Sequence, residues 1–213
     1  MAITTDEFGD FYDERRAASD LRRYREKGPQ PWTQTLIESL KAEGVEGATL
    51  LDIGGGVGAI HHELLAAGAA SATCVDASAA YLAAANAESE RRGHGERVTY
   101  RHGDFVELAE SLAPADIVTL DRVINVYPDW QRLIELSAAR ARRLYGLVYP
   151  RDRRFVSLVI VGINLTSRLR GKAVRAAVRP ADAIERALGE NGFTLHVAAS
   201  VGPAWQVAVY RRV

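Results

Sequence analysis

Leu50-Leu51-Asp52-Ile53-Gly54-Gly55-Gly56-Val57-Gly58 is the stretch that decides how this chain folds. Its first half is a short apolar run of the kind that forms a buried strand, and its second half breaks that strand into a glycine-rich turn. Glycines at alternate positions carry no Cβ to hold a ligand away. The run His61-His62-Glu63-Leu64-Leu65 then leads into a helix whose first N–H groups would face the cleft.

Two cofactor classes use such a turn. Gly54, Gly56 and Ala59 satisfy the dinucleotide pattern G-x-G-x-x-G/A, with Asp76 at about the spacing of a ribose-binding acid. Asp52-x-Gly54-x-Gly56-x-Gly58 is the fuller pattern, however, and it resembles motif I of the class I S-adenosylmethionine-dependent methyltransferases. Their cofactor carries a sulfonium and an ammonium instead of a pyrophosphate, so an acid at the strand end suits it.

Three further segments extend the resemblance over roughly residues 48–150. Ala72-Thr73-Cys74-Val75-Asp76-Ala77 reads as a second strand ending in the acid that, in this family, binds the ribose hydroxyls. Val98 to Phe105 ends in Gly103-Asp104-Phe105, matching the family's turn in which a carboxylate takes the adenine amino group beside an apolar cover. Ala115 to Arg122 resembles the fourth strand, whose end faces the methyl group and the acceptor. The resemblance therefore implies cofactor contacts from Asp52, Gly54, Gly56, Gly58, Asp76, Ala77, Gly103, Asp104, Phe105 and Asp121.

Strand and helix patterns alternate as strand 48–53, helix 58–67, strand 72–76, helix 78–92, strand 97–101, strand 115–121, helix 129–143 and strand 144–149. Alternation of this kind predicts a parallel α/β sheet. A helix opening near Pro180 and two strands around Gly202-Pro203 then break the pattern, predicting an antiparallel hairpin at the end. The expected architecture is a Rossmann-like class I methyltransferase sheet of seven strands. The classical dinucleotide fold lacks that hairpin, and the chain has no Tyr-x-x-x-Lys pair, both of which weigh against a nicotinamide-dependent oxidoreductase.

At 213 residues and 47% hydrophobic content, the chain suits one domain spanning 1–213. Residues 1–31 read as an amphipathic arm, either a lid over the cofactor or a cap on the core. Residues 152–179 combine the apolar run Phe155–Leu165 with a basic run, and read as a substrate cap. Peripheral attachment to a membrane and a plain helix packed on the sheet are the rival readings. Between Arg140 and Arg179 the only acid is Asp152. That bias suits an acidic acceptor or a solvated basic face, while the neutral overall charge and the absence of a reader module argue against nucleic acid.

The start of the chain lacks a basic, apolar export signal, and the lone Cys74 cannot form an intrachain disulfide; a reducing, cytoplasmic setting is expected. After the fourth strand, Asp121-Arg122-Val123-Ile124-Asn125-Val126-Tyr127-Pro128 lacks the Asn/Asp-Pro-Pro-aromatic motif of base N-methylation. The expected reaction is methyl transfer to a small molecule, with O-methylation favoured. Asp121, Tyr127 and His62 are the candidate catalytic groups, and Arg122 and Tyr127 the candidate acceptor contacts. The histidines show no metal spacing, so no metal is expected. A non-catalytic S-adenosylmethionine-binding or membrane-associated protein would carry the same motifs. In overall length, and in Leu120-Asp121-Arg122-Val123 followed by Tyr127-Pro128, the chain is loosely similar to small bacterial methyltransferases akin to the magnesium-protoporphyrin and quinone O-methyltransferases.

Overall fold

Leu50 and Leu51 are neighbours in sequence, yet they serve different cores, because successive side chains of a strand point to opposite faces. The computed structural model describes residues 5–169, 171 and 174–213. Residues 1–4 of the expected arm, and Arg170 and Lys172 of the basic run, lie outside them. The glycine-rich stretch begins in β1 (Thr49–Ile53), flanked by β2 (Ser71–Asp76) and β4 (Ala115–Asp121). With β3 (Val98–His102), β5 (Ala141–Pro150), β6 (Phe193–Val201) and β7 (Trp205–Arg212), these strands form one seven-stranded sheet in the order β3-β2-β1-β4-β5-β7-β6. The first five run parallel, while β7 is antiparallel to both β5 and β6. The order 3-2-1-4-5 brings the carboxyl ends of β1 to β4 together at one edge, beside the point where the winding reverses.

Helices cover both faces. Leu36, Ile37 and Leu40 of α3 (Pro31–Ala42), with Ile60 and Leu64 of α4 (Ala59–Ala66), pack on Leu50, Ile117, Leu144 and Val148. On the opposite face Leu51, Ile53, Val118 and Leu120 meet Leu133 and Ile134 of α7 (Trp130–Ala138) and Ile184 and Leu188 of α9 (Ala181–Glu190). Helix limits follow local chemistry. Ser78 caps α5 (Ala79–Arg92) by accepting from the Tyr81 N–H, and Gly93 ends it in the left-handed region. The arm becomes α1 (Thr5–Phe11) and α2 (Glu14–Lys27), the latter capped by Asp13 and stopped at Gly28.

Two expectations are corrected. The helix expected over 129–143 stops at Ala138, and Ala141 already lies in β5. The Ser137 hydroxyl binds the Leu133 carbonyl and the Tyr145 hydroxyl, and the Arg140 carbonyl accepts from the Ala115 N–H, so pairing with β4 wins over helix continuation. Arg140, Arg142 and Arg143 therefore sit at the amino end of β5, roughly 26 to 36 Å along the strand from Arg151. The basic run is two separate regions.

The apolar segment forms α8 (Arg154–Leu169), in which only Val156 and Ile160 are buried. It is not a helix laid flat on the sheet. Instead Asn164 binds both backbone groups of Ala176, and the extended stretch from Val174 runs beside the loop after β4, where the Ala177 N–H binds the Asn125 carbonyl.

Candidate functional site

The carboxyl ends of β1, β2, β3 and β4 open into a cavity of about 350 Å³. Gly54 enters it with φ +63°, a left-handed conformation natural only to glycine, and a Cβ there would meet the Val123 side chain at 2.5 Å. Gly54 and Gly56 form one wall, with Asp76 and Ala77 beyond them. Asp76 accepts from the Gly56 N–H at 3.0 Å and the Ser78 N–H at 2.8 Å. Burial nevertheless outweighs those bonds and raises its carboxyl to about 6.

Gly103, Asp104 and Phe105 line the same cavity from the end of β3. Asp104 caps the short helix α6 (Phe105–Leu108) through the Val106 N–H and also accepts from the Tyr127 hydroxyl at 2.8 Å. Burial, then the Asp104 carboxylate, push the Tyr127 phenol well above its ordinary range. It is a hydrogen-bond donor to Asp104, an arrangement that weighs against the expected role of Tyr127 as a base.

Asp121 and Arg122 stand at the end of β4 and line the cavity with Val123, Asn125, Val126 and Tyr127. Asp121 accepts from the Thr33 hydroxyl at 2.5 Å and from Arg122 Nε at 3.1 Å. Arg122 is a non-glycine residue at φ +61°, and its guanidinium lies over the rings of Trp32 (5.4 Å) and Trp205 (5.9 Å). A strained backbone held between two indoles and an acid fixes this cation at the cavity edge.

Three of the expected residues lie elsewhere. Asp52 is 1% exposed, and its oxygens accept from His61 Nδ1 and the Thr119 hydroxyl at 2.8 Å each. It lines a smaller, adjoining cavity of about 110 Å³ that shares Gly54, Gly56, Asp121 and Arg122 with the first. Gly58 lines neither cavity; it starts α4 with φ +85°, its open face filled by the rings of His61 and His62. His62 is fully buried against His61 and His94, with ring centroids 4.4 and 5.7 Å away. Burial and the neighbouring His61 lower it to about 2, so it is a neutral core residue and not a base in the cavity. Asp52, His61 and Cys74 bring potential ligand atoms within 4.8 Å of one another. Both Asp52 oxygens are engaged by His61 and Thr119, and burial raises the thiol well above its ordinary value, so the trio reads as core.

Other lining residues come from distant parts of the chain. Phe8, Tyr12, Arg16 and Asp20 of the arm form one side, and Trp205 of the terminal hairpin contributes another edge. The arm is tied to the strand ends: Ser78 Oγ donates to the Tyr12 carbonyl, the Tyr81 hydroxyl donates to Asp20, and the Phe8 ring stacks 6.5 Å from Tyr127. The interleaved aromatics of residues 8–24 were the available signal for the arm. Nothing in the sequence points to Trp205. Among the described residues of 152–179 none lines the cavity, so the segment expected as a substrate cap makes no direct wall of it. It reaches the site only indirectly, where Arg179 donates to the carbonyls of Ile124 and Tyr127 at 3.2 and 3.0 Å.

Residues 50–143 match the family model of a methyltransferase domain. No curated protein matches the chain. Among solved structures, the magnesium protoporphyrin IX methyltransferase of Synechocystis PCC 6803 with bound S-adenosylhomocysteine is 21% identical, with a TM-score of 0.71 covering 96% of this chain and 98% of that one. An O-methyltransferase family protein from Burkholderia thailandensis is 16% identical, with a TM-score of 0.73 over 95% of this chain and 61% of that one. A putative methyltransferase of Haloferax volcanii, solved with the Trm112 activator, is 14% identical with a TM-score of 0.71, covering 99% and 97%. These likenesses establish the class I methyltransferase fold.

Proposed function

We propose that this chain, a class I S-adenosylmethionine-dependent methyltransferase, methylates an oxygen of a small, partly apolar acceptor that carries an acidic group. The donor set fits the cofactor. Asp76 is the ribose ligand and Asp104 takes the adenine amino group beside Phe105, while Gly54 and Gly56 leave room for the chain between them. Ala77 and Gly103 add backbone contacts. When bound, the cofactor supplies an activated methyl and a neutral leaving group, so the chain has mainly to position the acceptor.

Arg122 is the observation that carries the acceptor reading. Its charge is fixed by Asp121 and by two indoles at the end of β4, where the resemblance puts the acceptor. A planar guanidinium so held favours a carboxylate or phosphate. Phe8, Val126 and Trp205 supply an apolar surround for the rest of the molecule. Asp121 can take the proton of a hydroxyl acceptor as the methyl moves to oxygen; an acceptor that is already ionised needs no base. The arm acts as a lid, since its closing contacts reach Tyr81 and Tyr127 of the cavity wall and Ser78 beside it.

The test begins with calorimetric titration of S-adenosylmethionine, S-adenosylhomocysteine and NAD. Binding of NAD alone would overturn the cofactor assignment. A methyl-transfer screen then compares apolar and aromatic acids with their neutral amides. Turnover confined to the acids, with KM raised about tenfold or more in Arg122→Met, is the expected result. Equal turnover of the amides would remove Arg122 from acceptor recognition.

A further inference from the structure

The outward side of α8 is built in reverse of an ordinary surface helix. Leu158 is 71% exposed, Val161 62%, Leu165 58% and Leu169 80%, on a ridge with steps of three and four residues that marks one helix face. Phe155 and Val159 widen the face, while the inward side offers only Val156 and Ile160 to the protein. An exposed apolar surface this continuous marks a contact surface. It is not part of the cavity already described, because no residue of α8 lines it.

Charge identifies the occupant. Arg154 and Arg168 are exposed at the two ends of α8 and, at 100° per residue, project within about 40° of one another, on and beside the apolar ridge. Exposed Arg153 precedes them. From Arg151 to Arg179 the sequence holds eight basic residues and the single acid Asp152, and α8 itself has no acid. Two copies packed through this face would set arginine against arginine in either orientation, with no carboxylate on the helix to pair them. An anionic lipid surface meets both requirements, accepting the leucines among its acyl chains and the arginines at its phosphates. Among the described residues no helix is long and apolar enough to cross a membrane, so the contact lies in the interface plane.

We infer that the outward face of α8 docks the protein reversibly on anionic phospholipid bilayers. Docked there, the segment from Val174 to Arg179 ties the bilayer contact to the loop after β4, through Ala177 on Asn125 and Arg179 on Ile124 and Tyr127. The inference stands apart from the choice of acceptor.

Flotation of the purified full chain with vesicles tests it, using equal parts phosphatidylglycerol and phosphatidylcholine against phosphatidylcholine alone. Binding should be at least tenfold stronger to the anionic vesicles and should weaken as salt rises. Arg154→Gln with Arg168→Gln should weaken it by roughly 25-fold, at about fivefold per charge. Leu158→Ser with Leu165→Ser should abolish it, while calorimetric cofactor affinity stays unchanged, because both side chains are exposed and neither lines the cavity. No flotation with anionic vesicles, or undiminished flotation of the leucine variant, would overturn the inference. So would a wild-type dimer in sedimentation analysis that the leucine variant converts to monomer, since the face would then belong to a second copy.

Discussion

If Asp76 binds the ribose hydroxyls, it must be ionised to accept both of them, and burial holds the free protein's carboxyl at about 6. Cofactor binding must then expel a proton in acid. The apparent dissociation constant is multiplied by one plus the ratio of protonated to ionised carboxyl, a factor of about 2 at pH 6 and about 11 at pH 5. The sign is fixed: affinity falls as pH falls through the carboxyl's value, by roughly 1.4 kcal/mol for each further unit. Isothermal titration between pH 5 and 7, in two buffers of different ionisation enthalpy, should find about tenfold weaker binding at pH 5 with nearly one proton released. Asp76→Asn is the control, because it keeps the shape but cannot ionise. Its affinity should be lower at pH 7, by about 2 kcal/mol for hydrogen bonds to a charged acceptor, and almost flat across the range. Wild-type affinity that does not vary with pH, or an Asn variant that keeps the same slope, would refute the reasoning.

Asp121→Asn should lower kcat about 100-fold for a hydroxyl acceptor while leaving the cofactor dissociation constant within about threefold, read by single-turnover kinetics beside calorimetry. Tyr127→Phe should keep turnover within about tenfold, because the phenol is a protonated donor to Asp104; a loss of several hundredfold in kcat at unchanged KM would restore it as a base. His62→Phe tests the buried histidine group. A folded-state value far below the ordinary 6.5 means that stability is present above pH 6.5 and is lost as pH falls, by roughly 2 to 3 kcal/mol for this residue between pH 6.5 and 4.5. Urea midpoints at the two pH values should show that loss in the wild type and a smaller one in the variant; equal losses would mean that His62 is protonated in the native state.

Sequence reading succeeded where a structural requirement is local. A buried strand that ends in an acid and then a tight turn is a signal of six or seven consecutive residues, and four of these in order were enough to anticipate the parallel sheet. The terminal hairpin was equally local, since Gly202-Pro203 separates two alternating runs with no room for a helix. The helix limit near Ala138 was not local. Alanine and arginine favour helix through residue 143, and pairing with β4 from the Ala115–Arg140 hydrogen bond onward, between residues far apart in sequence, pulls the chain into β5. Phe8, Tyr12 and Trp205 meet at one cavity from opposite ends of the chain, which no window of sequence can reveal.

Asp52 stands off the main cavity for a reason that was present in the sequence. A strand alternates faces, so Asp52 shares its side with Leu50, the side that α4 covers, whereas Leu51 and Ile53 face the other way. The parallel register sets Asp52 beside Thr119, and the returning helix brings His61 over it. Each oxygen thereby has a partner beneath the glycine turn. Here Asp52 therefore supports the base of the turn, and the acid that reaches the main cavity is the one at the end of the neighbouring strand, Asp76.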